Sequence, residues 1–394
     1  MEAGRSRLQP KRSRSPVKIA ITKSTLRIPP TYFATAHAER LKDRHDFHVF
    51  TLVAQIEDAS VTIPVTDFVP APGLGFRRRE LVMPAFMRSM AVAVTRFNPD
   101  IIHQHFATWS EPAVKASTVS GAPLLTTMHG SDLVSLANPA DTMMARWHHR
   151  NVLSAAAHSS RLLVVSNYMA GRAADLELDT GKIHVHYQGV DTDYFVPTRH
   201  QSDETPVVLF VGALNMQKGI RDLLDASLAV WRKARHRLVV IGDGPLRDAV
   251  AEHAASHPHI DFVGRQDRAG VRAWMQQAQI LVAPSQEAGG AREAAGLVLL
   301  EAQACGTPVL AYRSGGIPEM MEDGVTGLLA PEADFRQLQD GLQQLLQLGS
   351  AEYLAMRRDA RKFVVDQRSL AGSVRELDGH YRDLAAQAPA PRRP

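Results

Sequence analysis

Short apolar runs recur along the chain, each ending in polar, Gly or Pro residues. Runs at 17–22, 47–52, 61–68, 100–106, 123–132, 161–166 and 183–187 predict strands, and 32–44 suits a helix between two of them. A polar stretch at 200–206 interrupts the pattern, and the alternation then restarts. Runs at 207–214, 237–241, 260–267 and 280–283 predict a second set of strands, and 334–348, 351–365 and 369–384 carry helical spacing. Strands alternating with helices argue for parallel α/β sheets, here two of them. At 394 residues the chain exceeds one core, which supports two domains. The expected division is a basic tail at 1–16, a first domain at 17–190, a linker at 191–206, a second domain at 207–365, a helix at 366–386 and a tail at 387–394.

One stretch concentrates the chemistry: Glu293-Ala-Ala-Gly-Leu-Val-Leu-Leu-Glu301-Ala-Gln-Ala-Cys-Gly306-Thr-Pro308. It follows the buried run 280–283 and a loop rich in Gly and Glu. Gly296 opens a short helix, which Gly306 and Pro308 close. The first-turn N–H groups and the helix dipole make an anion site suited to phosphate. Glu293 precedes that site and Glu301 lies on the second turn. A carboxylate beside phosphate repels it unless aimed elsewhere, and sugar hydroxyls are natural donors to it. The pattern suggests a ligand built of sugar, diphosphate and ribose.

The spacing Glu293-x7-Glu301 runs into Leu299-Leu-Glu-Ala-Gln-Ala-Cys-Gly-Thr-Pro-Val309. Ser314-Gly-Gly-Ile-Pro-Glu319 and Gly324-Val-Thr-Gly-Leu-Leu-Ala330 follow. Together these resemble the donor signature of retaining glycosyltransferases of family 4, the group 1 enzymes of GT-B fold. The resemblance implies two Rossmann-like domains facing a cleft, with a C-terminal helix crossing back to the first. It implies that Glu293 contacts the donor sugar and Glu301 the ribose. Lys218, in Asn215-Met-Gln-Lys-Gly219, matches the lysine aimed at the diphosphate. Gly212, Gly296, Leu297 and Val298 match donor-loop positions, and Arg265 and Gln266 follow the strand end that meets the base. His129, in His129-Gly-Ser-Asp132, matches a histidine near the reacting carbon. His105 and Asp132 would face the acceptor. The implied donor is a UDP- or GDP-sugar and the implied acceptor a glycan or lipid-linked hydroxyl. Similarity of His105-Phe-Ala107 and His129–Asp132 to exopolysaccharide and lipopolysaccharide enzymes points to polysaccharide assembly. No metal or other cofactor is expected, and Asp191-Thr-Asp193 is read as part of the hinge.

Two departures stand out. Relatives often carry a Gly pair after the first strand; here the sequence is Thr22-Lys-Ser-Thr-Leu-Arg-Ile-Pro-Pro30. Relatives place Arg after the Gly that ends the 207–212 run; here it is Ala213, with Arg292 or Arg265 as possible replacements. Ala213 keeps a second class open, a nucleotide-sugar-binding subunit without turnover.

Net charge is +4, mildly basic and short of a nucleic-acid footprint. The single cysteine, Cys305, excludes an internal disulfide and a thiol metal cluster. No apolar h-region follows the basic start, so a cytoplasmic protein is expected. Residues 76–90 mix Arg77, Arg78 and Arg79 with Phe and Met, which suits a helix on its sheet or contact with anionic lipid on the cytoplasmic face. Gly242-x-Gly244 lacks the third Gly of a dinucleotide fingerprint, and His148-His149 reads as surface.

Overall fold

A computed structural model describes residues 16–28, 33–58, 60–69, 76–198 and 205–387; for 33 and 76–82 it describes the backbone alone. The first sheet contains β1 (Lys18–Ile28), β2 (Asp46–Ile56), β3 (Val65–Asp67), β4 (Ile101–His105), β5 (Leu124–Met128), β6 (Ser159–Val164) and β7 (Ile183–Val185). Its order is β3-β2-β1-β4-β5-β6-β7, all parallel. The second contains β8 (Val207–Val211), β9 (Arg237–Ile241), β10 (Ile260–Gly264), β11 (Ile280–Ala283), β12 (Val309–Arg313) and β13 (Gly327–Pro331). Its order is β10-β9-β8-β11-β12-β13, again all parallel.

Parallel strands covered on both faces read as continuous apolar runs, and β11 is buried at all four positions. Each sheet reverses its direction of growth once, between β1 and β4 and between β8 and β11. Crevices at such reversals, outside the carboxyl ends of the strands, are where open α/β sheets bind ligands.

After the second sheet the chain returns to the first. Val190 N donates to Arg368 O and Leu370 N donates to Val190 O. The last helix, Leu370–Gln387, then buries Leu370, Val374, Leu377, Tyr381 and Leu384 in the first lobe's core with Ile19, Ile21 and Phe47. The crossing helix expected from the resemblance is therefore present.

Some expectations change. β1 does not stop at Thr22; it runs to Ile28, paired with β2 as far as Ile56. The expected strand at 61–68 shrinks to three residues, because β3 lies at the sheet edge and pairs only with β2. His148 is not a surface residue: it is half-buried beside Trp109 and Trp147. Helix Phe76–Phe97 packs Met87, Met90 and Val94 into the core. The arginines at 77–79, both tails and the loop 70–75 lie outside the residues whose side chains are described. Among the described residues no helix is long and apolar enough to cross a membrane.

Candidate functional site

At the β8–β11 reversal two loops meet. The loop after β8 ends at Gly219, which takes φ +64 and caps helix Ile220–Trp231. A Cβ there would lie 1.9 Å from the carbonyl oxygen of Pro284, so only glycine lets the loops after β8 and β11 approach. Lys218, one residue earlier, has its N–H held by Asn215 Oδ1 at 2.9 Å. Its ammonium forms a close ion pair with Glu293. The two side chains are 27% and 17% exposed, so the pair sits at the mouth of the crevice. Ser285 Oγ approaches the same carboxylate oxygen at 3.5 Å.

Gly296, at φ +74, turns the chain into helix Leu297–Ala304, and no side chain caps that turn. Leu299 N already donates to Gly296 O at 3.0 Å, so the amides of Leu297 and Val298 are those left at the positive end. The helix is apolar on nearly every face, with Leu299, Leu300, Ala302, Gln303 and Ala304 buried. Burying each leucine is worth about 2 kcal/mol, which anchors the helix end without involving the ligand face. Lys218, Ser285, Glu293, Gly296 and Val298 line one small cavity of about 20 Å³. A wider hollow of about 380 Å³ opens beside Lys42–Phe47, at the other end of β2's pairing with β1. Topology and chemistry, not volume, single out the first.

Glu301 lies half-buried one helical pitch further on. With burial, its charge pushes the neighbouring Cys305 thiol up to about 12, which makes that cysteine inert. Gly212 closes β8, its N–H bonded to Ile241 O at 3.0 Å. Arg265 and Gln266 are exposed beyond β10, two strands away from β8. Arg292 is held by Glu332 at 3.0 Å, and Ala213 is exposed on the β8 loop.

The β1–β4 reversal is built differently. His129 follows β5 and stays partly exposed. Its Nδ1 meets Gln188 Nε2 at 2.9 Å and its Nε2 meets His105 Nδ1 at 3.0 Å. With the Gln188 amide donating, His129 carries its proton on Nε2 and donates to His105. Burial above all holds both imidazoles well below their usual range, with repulsion from Lys23 adding at His129 and from His103 at His105. Asp132 is fully enclosed; it accepts the N–H of His129 at 2.8 Å and of Thr108 at 3.3 Å. Burial nevertheless raises its pKa. His103 belongs to the interior, between Tyr381 of the crossing helix and Thr127, each at 2.7 Å.

Sequence reading missed two residues here. Lys23, 3% exposed on β1, lies 3.7 Å from the Phe106 ring centroid. Burial lowers its pKa to about 7, against the opposing pull of Asp132. Phe106 takes φ +64, a strained value for a residue with a side chain, and its ring lies 4.3 Å from His129. The available signal was a lysine directly after the apolar run 17–22. Asp191 and Asp193 both face Arg40, at 2.8 and 3.7 Å, and Asp191 also accepts two turn N–H groups.

Comparison with known proteins fits this layout. Residues 205–348 match the family model described as glycosyl transferases group 1, and residues 31–194 match glycosyltransferase family 4. The D-inositol 3-phosphate glycosyltransferase of Kribbella flavida is 30% identical over 303 residues, 68% of this chain and 69% of that protein. The putative colanic acid biosynthesis glycosyltransferase WcaL of Escherichia coli K12 is 27% identical over 301 residues, 74% of this chain and 71% of its own. Among solved structures, Anabaena Alr3699/HepE in complex with UDP and glucose has a TM-score of 0.75 at 19% identity, covering 93% of this chain and 99% of that one. The fold is GT-B.

Proposed function

The chain belongs to the family 4, group 1 glycosyltransferases, and from that premise we propose a specific reaction. It transfers a sugar from a UDP- or GDP-sugar, with retention and without a metal, to a hydroxyl of a glycan or lipid-linked acceptor in polysaccharide assembly. One observation carries the proposal: Lys218 and Glu293 meet at the uncapped, positive end of helix Leu297–Ala304. As the anomeric C–O bond breaks, charge builds on the leaving phosphate. Lys218 and the amides of Leu297 and Val298 oppose that charge from fixed positions. Glu293 accepts from donor-sugar hydroxyls, Glu301 from the ribose, and Gly212, Arg265 and Gln266 border the base. His129, kept neutral, faces the reacting carbon, and the departing phosphate takes the acceptor's proton. His105 and Asp132 then act by holding His129 and its loop on the acceptor side. HepE, whose crystals contain UDP and glucose, supports a nucleotide-sugar donor. A cytoplasmic site of action, with the 76–90 segment on anionic lipid, belongs to the same proposal.

Ala213 favours a second reading, nucleotide-sugar binding without turnover, because a lost guanidinium–phosphate contact removes about 2 kcal/mol. A thermal-shift screen against UDP-, GDP- and ADP-sugars, followed by a donor-hydrolysis and transfer assay, separates the two. Transfer supports the enzyme; a raised melting point with neither hydrolysis nor transfer supports the subunit; no shift with any of them rejects both.

A further inference from the structure

The donor loop is held from two sides, and one of the two holders belongs to the other lobe. Gly316 N, from the second lobe, donates to Glu293 O at 2.9 Å. Ser166 Oγ, from the first lobe, donates to Ala294 O at 2.6 Å. Ser166 is also the N-cap of helix Asn167–Asp175, where its hydroxyl accepts from Met169 N at 3.3 Å. One hydroxyl therefore joins the start of a first-lobe helix to the peptide that follows Glu293.

The approach at this point is too close to be incidental. A Cβ on Gly130, at φ +102, would lie 2.9 Å from Ala294 Cβ. A Cβ on Gly316 would lie 2.2 Å from Ala294 O and 3.0 Å from Ser166 Oγ. Beside them, Glu319 of the second lobe reaches the same helix start. Its carboxylate accepts from Asn167 N at 2.7 Å, Tyr168 N at 2.8 Å and Asn167 Nδ2 at 2.9 Å, and from Tyr187 OH at 2.7 Å. A carboxylate at a helix N-terminus is favoured by the dipole as well as by these bonds. Arg368, at the return crossing, donates to Glu319 O at 2.8 Å and lies 3.9 Å over the Tyr187 ring.

We propose that Ser166 and Glu319 are positioning residues that make the aim of Glu293 depend on closure of the cleft. The inference rests on the reading of Glu293 as the donor-sugar contact. When the lobes part, Ala294 O loses its donor and the loop that bears Glu293 keeps only its own lobe's hold. Sugar recognition is then complete only in the closed state, where water is displaced from the reacting bond.

The test uses the full chain and compares a nucleotide with its sugar conjugate. Calorimetry measures UDP and UDP-glucose, or GDP and GDP-mannose if the wild type takes guanine. Ser166→Ala should lower affinity for the sugar conjugate about tenfold while leaving that for the nucleotide within twofold. Turnover should fall with it, and Ser166→Thr, which keeps the hydroxyl, should restore both. Equal losses for nucleotide and conjugate would mean a helix cap only and would overturn the proposal, as would no change. Glu319→Gln should enlarge the ligand-free radius of gyration in X-ray scattering, and the sugar conjugate should reverse it; an unaltered radius counts against the latch. A wild type that binds neither ligand refutes the donor reading instead, a separate outcome.

Discussion

The two sheets reverse at equivalent points, yet the two reversals are furnished in opposite ways. Between β8 and β11 the crevice is bordered by glycine turns, an uncapped helix end and a partly exposed Lys218–Glu293 pair. Between β1 and β4 it is filled. Lys23 is 3% exposed, His105 5% and Asp132 0%; His105 bonds to His129, Asp132 accepts the His129 N–H, and Lys23 lies over the Phe106 ring. Topology places a potential site at both. Side-chain volume decides which stays open to a ligand, and at the β1–β4 point the strand continues through buried Lys23 to Ile28. The first lobe is thus preorganised from within and the second has its polar groups at the mouth.

The largest expected effect tests that contrast through pH. In the first lobe and its crossing helix, His48, His103, His105, His129, His148, His184, His186 and His380 all have lowered pKa values, chiefly from burial. In the second lobe only His236 and His259 are lowered among the described residues. A lowered histidine binds fewer protons folded than unfolded. Its contribution is therefore intact above the unfolded value of about 6.5 and is lost as pH falls below it. Acidification from pH 7.5 to 5 should cost on the order of several kcal/mol, mostly in the first lobe. Hydrogen exchange resolved by segment should show β4, β5 and helix Leu370–Gln387 losing protection before β8 and β11. Simultaneous loss in both lobes would erase the distinction.

Next in size is the ion pair itself. Glu293→Ala should lower turnover about a hundredfold, since a charge-assisted bond to the sugar is lost at the step that matters. Nucleotide affinity should stay within a few-fold, because released Lys218 still faces phosphate. Full turnover in this variant would remove Glu293 from the sugar site. Lys218→Ala should weaken UDP or GDP binding about tenfold or more and leave the bare nucleoside unaffected. An equal loss for the nucleoside would assign Lys218 to the fold rather than to the phosphates.

Both lobes, the parallel sheets and the second crevice were legible in the sequence because each is written locally. Apolar runs mark buried strands, and Gly219 and Gly296, both at positive φ, mark turns that favour glycine. The first crevice was legible only in part: His105, His129 and Asp132 were expected at its strand ends, whereas Lys23 and Gln188 join them through distance in space. Lys23, His105, His129 and Gln188 come from β1, β4, the end of β5 and the hinge. Nothing in the spacing of those residues announces that they meet. Ser166 and Glu319 were hidden for the same reason, being joined only when two lobes face each other. β1 was cut short in the sequence reading because Lys23 to Thr25 is polar, although Leu26 and Ile28 are buried in the same strand.

The smallest expected effect concerns Ala213, one of the two departures from the family pattern that the sequence resembles. Ala213 is exposed on the loop after β8, so an arginine fits there without displacing core atoms. A guanidinium on a phosphate is worth about 2 kcal/mol, less the side-chain entropy of ordering it. Ala213→Arg should therefore tighten UDP or GDP only several-fold, with nucleoside affinity unchanged. Tightening would show that the natural crevice lacks a second cation, leaving Lys218 and the amides of helix Leu297–Ala304 to carry the diphosphate alone. No tightening would show that the charge is already balanced, and the candidate would then lie across the cleft, where the buried Lys23 ammonium stands 3.7 Å from the Phe106 ring centroid. Repeating the titration with Lys23→Met in both backgrounds decides it: a loss confined to the Ala213 chain assigns the missing charge to the first lobe. Donor hydrolysis that appears only with arginine at 213 would instead make the natural chain a binding subunit.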